Sequence, residues 1–240
     1  MVTSFMCFKY MALYSMIQFS SVCILFWWGT YLTDLGFLFS DVFMVLPLTI
    51  FMSYNHAYPT LAVKTPGDSL LVLPIMMSVI GNGMLAFGSQ LLGWGLANEE
   101  SWYVTCDLDD PATAEGELCS EVGIVWLVSN FNFLATVLLF NVARPFRKAP
   151  YTNWMFSVWF LWMVAVSVCL MLRPPGWVRD LIPLVDLDRD YKGKLLGISM
   201  AYVAAAVIYE KGVMWVVEWL YNRRLVQKRR QRVVSELTLD

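Results

Sequence analysis

Charge is scarce in this chain, and its scarcity excludes most classes of soluble protein. Of 240 residues only 15% are Asp, Glu, Lys or Arg, whereas 58% are hydrophobic; soluble domains carry about a quarter charged residues. A mean hydropathy of +0.57 indicates a chain that lies in lipid. A soluble enzyme, a DNA-binding protein and a small secreted disulfide protein are therefore excluded, and nucleic acid is not an expected partner.

Motifs that bind ATP or cleave bonds are also missing. The sequence contains no Gly-x-x-x-x-Gly-Lys-Ser/Thr loop, no His-Glu-x-x-His and no Cys-x-x-Cys, which would indicate phosphate binding, a zinc site or a redox centre. The single histidine, His56, has no cysteine nearby in sequence, so no metal site is expected. We therefore expect no catalytic residues and no cofactor in this chain.

Long apolar runs predict an all-α transmembrane bundle of six spans. About 20 apolar residues suffice for a helix to cross the hydrocarbon core. The predicted spans cover residues 9–31, 35–52, 69–97, 122–142, 154–172 and 195–220. Residues 1–8 are then an N-terminal stub, 98–121 an acidic loop and 221–240 a basic tail. The third run contains several glycines, which favour a tilted or kinked helix.

Basic residues are distributed unequally between the two sides of this bundle. Most lie in the turn at 143–153 and the tail at 221–240, whereas the loop at 98–121 has acidic residues and no lysine or arginine. The positive-inside rule then places both termini in the cytosol and the acidic loop in a lumen. Cys106 and Cys119 share that loop, which favours a disulfide over two free thiols. The tail is expected to bind anionic membrane lipid.

An acidic residue inside a span is the strongest functional signal. Asp41 lies within the second span with no basic residue nearby in sequence, although an ionisable group at this depth costs about 2.5–3.5 kcal/mol. We expect its carboxylate to face the bundle interior as a cation ligand or proton carrier; the alternative is a protonated Asp bonded to a neighbouring helix. Asp34, seven residues earlier, either extends the same face or lies solvated in the turn beside Thr33.

Span one carries a polar stripe. Tyr10, Tyr14 and Gln18 recur every four residues and therefore share one helix face. Aromatic rings beside carboxylates favour an alkylammonium through cation–π attraction and ion pairing. We expect Tyr14 and Gln18 to complete a site with Asp41, and Tyr10 to lie in the interfacial aromatic belt.

The remaining polar residues of the predicted spans indicate helix contacts and headgroup contacts. Amides inside a bundle can hydrogen-bond between helices, and the candidates are Asn82, Gln90, Asn130, Asn132 and Asn141. Glu210 and Lys211 are expected near the headgroups, where long charged side chains reach water.

Four segments carry a resemblance to a known family. They are KYMALYSMIQF at 9–19, the span with Asp41, VKTPGDSLL at 63–71 and PFRKAPYTN at 145–153. In this order they resemble the last six spans of the type-V P-type ATPases, specifically the B branch, the endo-lysosomal polyamine transporters. The resemblance implies a path for a polyamine or other organic cation along Tyr14, Gln18 and Asp41, with Asp34 near its luminal exit.

The same resemblance implies a chain that is inactive alone. ATP and Mg²⁺ would act in the family's phosphorylated Asp-Lys-Thr-Gly-Thr segment and its nucleotide-binding and actuator domains, so we expect a C-terminal fragment with a missing N-terminal part, in a late endosomal or lysosomal membrane. Two alternatives stay open. One is a stand-alone six-span scaffold or partner subunit, which predicts a closed bundle with Asp41 paired internally. The other is the A branch, which extracts misplaced helices from the endoplasmic reticulum.

Overall fold

Six membrane-spanning helices make up the described part of the chain. The computed structural model describes residues 2–60, 72–103, 119–141, 145–176, 178, 187–221 and 223–224. The helices long and apolar enough to cross a membrane are numbered spans one to six: Val2–Trp27, Asp34–Ser53, Leu73–Ala97, Ser120–Phe140, Trp154–Leu172 and Arg189–Tyr221. The described residues contain no β-strand, so the protein is an all-α integral membrane protein.

Span one begins earlier than the sequence predicts. The helix runs Val2–Trp27 rather than 9–31, and it includes residues 2–8, which were predicted as an N-terminal stub. The reason is that this segment is itself largely apolar, and Met6 is buried in the core. Gly29, at a φ of 71° that favours glycine, lies in the turn that follows.

Local capping explains two other span ends. Span six begins at Arg189 rather than at 195, because the Asp188 carboxylate accepts a hydrogen bond from the Asp190 N–H as an N-cap. Span three begins at Leu73, and Pro74 suits its first turn because N–H groups there have no helical partner. Most of the predicted acidic loop and basic tail lie outside the described residues.

Span four occupies the centre of the bundle. Of its most apolar 18-residue stretch 83% is buried, compared with 17–39% for the other five spans. Its polar side chains Ser129, Asn130, Asn132 and Thr136 are all buried as well. Because lipid offers such groups no partner, they must hydrogen-bond within the bundle.

Polar contacts join spans one, three and four. The Gln90 Nε2 donates to Ser21 Oγ and to Ser129 Oγ, each at 3.0 Å. The Asn132 Nδ2 donates to Ser89 Oγ at 2.9 Å. Such bonds between membrane helices contribute about 0.6–2 kcal/mol each. The prediction that these two amides connect helices is confirmed.

The glycines of span three allow neighbouring side chains to approach. The span is α-helical without interruption from Leu73 to Ala97. A Cβ at Gly81 would lie 2.1 Å from Tyr209 Oη, and one at Gly93 would lie 3.0 Å from a methyl group of Val128. Small residues are favoured where membrane helices pack closely, and these positions illustrate why.

Replacing Gly81 with alanine is expected to lower the free energy of unfolding by about 1–2 kcal/mol. The Tyr209 ring must move, which strains its 2.9 Å hydrogen bond to the Met77 carbonyl. Gly88→Ala is the matched control, because no atom lies within 4 Å of the added methyl, and it should be neutral or stabilising. The melting temperatures of both variants are measured by thermal unfolding in detergent. Equal melting temperatures for Gly81→Ala and Gly88→Ala would contradict the packing described here.

One arginine holds the end of the bundle where span two finishes. Arg147 is 3% exposed and donates to the carbonyls of Met52, Ser53 and Asn55 at 2.8, 3.1 and 3.2 Å. Carbonyls at a helix C-terminus have no helical donor, so the guanidinium caps span two. Burial lowers the pKa of Arg147 from its ordinary value. A β-bridge between Ala57 and Arg147 pairs the two connecting loops.

Candidate functional site

Two of the predicted site residues are in contact. The Tyr14 hydroxyl of span one donates a hydrogen bond to Oδ1 of Asp41 in span two. Both side chains are half-buried, and no lysine or arginine in the described part of the chain lies within ion-pair distance of the carboxylate. A carboxylate can accept several hydrogen bonds. Asp41 therefore accepts one neutral donor and can accept a cationic one.

Asp41 lies in an unusual stretch of helix. Span two is α-helical at Asp34–Leu38 and Leu46–Ser53, and π-helical at Phe39–Val45 between them. The Leu46 N–H donates to the Asp41 carbonyl, five residues earlier. π-helical turns are rare and occur frequently at functional sites. Hydropathy gives no signal for such a segment, so the sequence did not predict it.

Indole groups from two neighbouring spans bond to the backbone around this segment. Pro47 has no N–H and cannot donate to the carbonyl of Phe43, but Trp159 Nε1 of span five donates to that oxygen at 3.2 Å. Trp126 Nε1 of span four donates to the Gly36 carbonyl at 3.1 Å. Because an unsatisfied backbone group in lipid is costly, the Trp159 indole stabilises the departure from α-helical geometry. The Trp126 indole is a second donor to the Gly36 carbonyl, which also accepts from the Phe39 N–H.

Span four also holds the residue before Asp41. The Ser40 hydroxyl is buried; it donates to Asn130 Oδ1 and accepts from Trp126 Nε1, each at 3.1 Å. Successive side chains on a helix point in different directions. Ser40 faces span four, and Asp41 is consequently directed to Tyr14 of span one.

Gln18 lies one helical turn beyond Tyr14 on the same span. Its side chain is half-buried, and its enclosed Nε2 has no hydrogen-bond partner among the described residues. The Tyr14 ring packs against Phe133 of span four, with 5.3 Å between ring centroids. An ammonium is a hydrogen-bond donor, so it would bind the amide oxygen of Gln18 and not the nitrogen. Rotation about the last side-chain bond exchanges the positions of these two atoms.

Asp34 and Tyr10 lie elsewhere. Asp34 is exposed at the first residue of span two, where the Thr33 side chain accepts from the Gly36 N–H at 3.3 Å. A carboxylate there is favoured by the helix dipole, which suits a solvated turn residue. Tyr10 is fully buried. Its ring packs among the other spans, and its predicted position at the membrane interface stays a prediction.

The cysteines fall into two groups. Cys7, Cys23 and Cys169 are free thiols, whereas Cys119 is disulfide-bonded. Cys106, its predicted partner, lies outside the described residues, so that pairing stays a prediction. No three His, Cys, Asp or Glu side chains of the described ranges converge as metal ligands would.

Comparison with known proteins gives the family. No family model matches the chain, but individual proteins do. The chain is 31% identical over its whole length to the vacuolar cation-transporting ATPase YPK9 of Saccharomyces cerevisiae, of which it covers 16%. It is 32% identical over 98% of its length to the polyamine-transporting ATPase 13A2 of Mus musculus, of which it covers 20%. The chain is a homologue of the type-V P-type ATPases.

Homology to the type-V P-type ATPases concerns part of those proteins. The polyamine-transporting ATPase 13A3 of Homo sapiens is 27% identical over 89% of the chain, which covers 19% of that protein. The chain spans only 16–23% of the length of the first relatives that it matches. The resemblance predicted from the sequence is confirmed.

Proposed function

We propose that this chain is part of the membrane domain of a P-type ATPase that moves polyamines or other organic cations across an endo-lysosomal membrane. In this proposal the chain supplies half of the substrate site. One observation carries it: Asp41 is half-buried in a membrane span, and its only hydrogen-bond donor in the described part is the neutral Tyr14 hydroxyl. The homologues named as cation- and polyamine-transporting ATPases support the same choice of substrate.

An alkylammonium suits the Tyr14–Asp41 pair and the Gln18 amide, which lies one turn further along span one. Its positive charge pairs with the Asp41 carboxylate, and charge pairing is stronger at the low dielectric of a membrane interior than in water. The Tyr14 ring offers a cation–π surface, and the Gln18 amide can accept an N–H. Release requires that the transporter bind the cation with different affinity in its two states.

The proposal extends to topology and to the source of energy. Both termini face the cytosol, in agreement with the distribution of Lys and Arg, and the basic tail contacts anionic lipid. ATP and Mg²⁺ act in a further part of the pump, N-terminal to these spans in the family's order. We assign no step of ATP hydrolysis to the described residues.

A membrane scaffold or partner subunit without transport is the second candidate. The Tyr14–Asp41 hydrogen bond favours it, because a closed bundle requires an internal partner for the carboxylate. The partial exposure of both side chains favours transport, because a purely structural pair needs no access. The two functions differ in whether a cation can reach Asp41.

A chimeric pump tests the proposal. The segment of the yeast vacuolar ATPase that aligns with this chain is replaced by the chain, and ATP hydrolysis is measured in reconstituted vesicles with and without spermine. We expect hydrolysis that spermine stimulates. A correctly targeted chimera that hydrolyses no ATP, while the unmodified yeast protein does, favours the scaffold. Hydrolysis that neither spermine nor another organic cation stimulates contradicts the proposed substrate.

A further inference from the structure

Glu210 lies in a polar cluster inside the bundle. Its Oε1 accepts a hydrogen bond from Lys9 Nζ of span one at 2.5 Å. Its Oε2 accepts from Ser78 Oγ at 2.7 Å and from Asn82 Nδ2 at 3.1 Å, both of span three. The Lys9 ammonium also lies 4.3 Å from the centroid of the Phe140 ring. We call Glu210, Ser78, Asn82 and Phe140 the Glu210 cluster. Glu210 thus contacts spans one and three, and its predicted depth near the headgroups stays a prediction.

Helix geometry explains the inward position of this glutamate. Span six is π-helical at Tyr209–Val213, and the Tyr209 hydroxyl donates to the Met77 carbonyl of span three at 2.9 Å. Span six is thereby held against span three where Glu210 occurs. Lys211, the next residue, is exposed, so only the first of the two charged residues enters the bundle.

The Lys9 ammonium is bound as a small organic cation would be bound. A carboxylate oxygen provides the counter-charge and an aromatic face provides a second attractive surface. A hydroxyl and an amide hold the other carboxylate oxygen in place. The Lys9 and Glu210 side chains are only 18% and 19% exposed, so water screens their attraction weakly. The enclosed Asn82 Oδ1 has no partner in the described part of the chain and is a further acceptor.

We propose that the Glu210 cluster is a binding site for a primary alkylammonium, which Lys9 fills from within the chain. It is separate from the Tyr14–Asp41 contact and does not depend on transport by this chain. A buried charge that loses its partner is strongly unfavourable. An external amine should therefore bind to the Glu210 carboxylate when the Lys9 ammonium does not contact it. Because Lys9 belongs to span one, a movement of span one that withdraws Lys9 would open the site to such an amine.

Amine rescue of a shortened side chain tests this site. Lys9→Ala and the double variant Lys9→Ala/Glu210→Gln are made in the full chain, and their melting temperatures are measured in detergent. Lys9→Ala should melt about 5–10 °C below the unchanged protein. Adding n-propylammonium chloride at about 50 mM should restore at least half of that loss if the dissociation constant is about millimolar.

The controls separate a specific site from a general salt effect. Sodium chloride at the same concentration should not restore the melting temperature of Lys9→Ala. The amine should not raise the melting temperature of the double variant, nor that of the unchanged protein, in which Lys9 occupies the site. No recovery of Lys9→Ala by the amine, or equal recovery of the double variant, overturns the proposal. Should Lys9→Ala yield no folded protein, purification with the amine present becomes the measurement. Recovery of folded protein then supports the site, and failure alongside a folded Lys9→Arg variant overturns it.

Discussion

Asp41→Asn is expected to lower the affinity of the chimeric pump for spermine about 100-fold. Asparagine keeps the size of the side chain but removes the negative charge, and losing one partner of a desolvated charge pair costs about 2–5 kcal/mol. The spermine concentration that gives half-maximal ATP hydrolysis should rise accordingly, and spermine binding should weaken in parallel. Asp41→Glu retains the charge and should recover part of the affinity.

Asp34→Asn is the matched control for this change. It removes the same charge from an exposed residue at the start of span two, where surface charges contribute little, and we expect less than about a 5-fold effect. Unchanged spermine affinity in Asp41→Asn, with a lower melting temperature, would mean that Asp41 only stabilises the bundle through Tyr14. That outcome would favour the scaffold over transport.

Arg147→Met is expected to lower the free energy of unfolding by about 3 kcal/mol. The carbonyls of Met52 and Ser53 at the end of span two, and of Asn55 just beyond it, lose a shared charged donor. Each hydrogen bond to a charged group contributes about 1.5–3 kcal/mol before the side chain relaxes. Methionine fills a similar volume, so the change isolates the guanidinium rather than the packing. The melting temperature in detergent should fall by about 6–12 °C.

Lys148→Met is the control in the adjacent position. Lys148 is exposed, and removing its charge should leave the melting temperature within about 2 °C, because surface substitutions change stability by about 0.5 kcal/mol at most. Equal melting temperatures for the two methionine variants would contradict the role assigned to Arg147. A loss confined to Arg147→Met shows that the cap stabilises the end of span two.

Much of the candidate site could be predicted because a charge in lipid is costly. That cost singled out Asp41, and a helical spacing of four residues placed Tyr14 and Gln18 on one face of span one. The contact between Tyr14 and Asp41 agrees with that reasoning. The π-helical segment around Asp41 could not be predicted, since it depends on donors far along the chain: Trp159 bonds to the Phe43 carbonyl within it, and Trp126 bonds to the Gly36 carbonyl just before it.

The burial of Tyr10 and the pairing of Glu210 were not predicted from the sequence, for one reason. Tyr10 was expected at the interface and Glu210 at the headgroups, yet Tyr10 is fully buried and Glu210 bonds to Lys9. Depth was judged from distance to the end of an apolar run. That distance says nothing about a partner 201 positions away in sequence, and a partner is what makes an inward position favourable.

The sequence by itself determined the class of this protein: an integral membrane bundle of six helices with an acidic residue in its second span. These properties follow from composition and from the length of apolar runs, because the hydrocarbon core requires about 20 residues per span and satisfied backbone groups. The tertiary structure decided which polar groups meet. Tyr14 joins Asp41, Lys9 joins Glu210, and Arg147 caps span two. Each pairing depends on helix rotation and packing between distant segments, for which local periodicity carries no information.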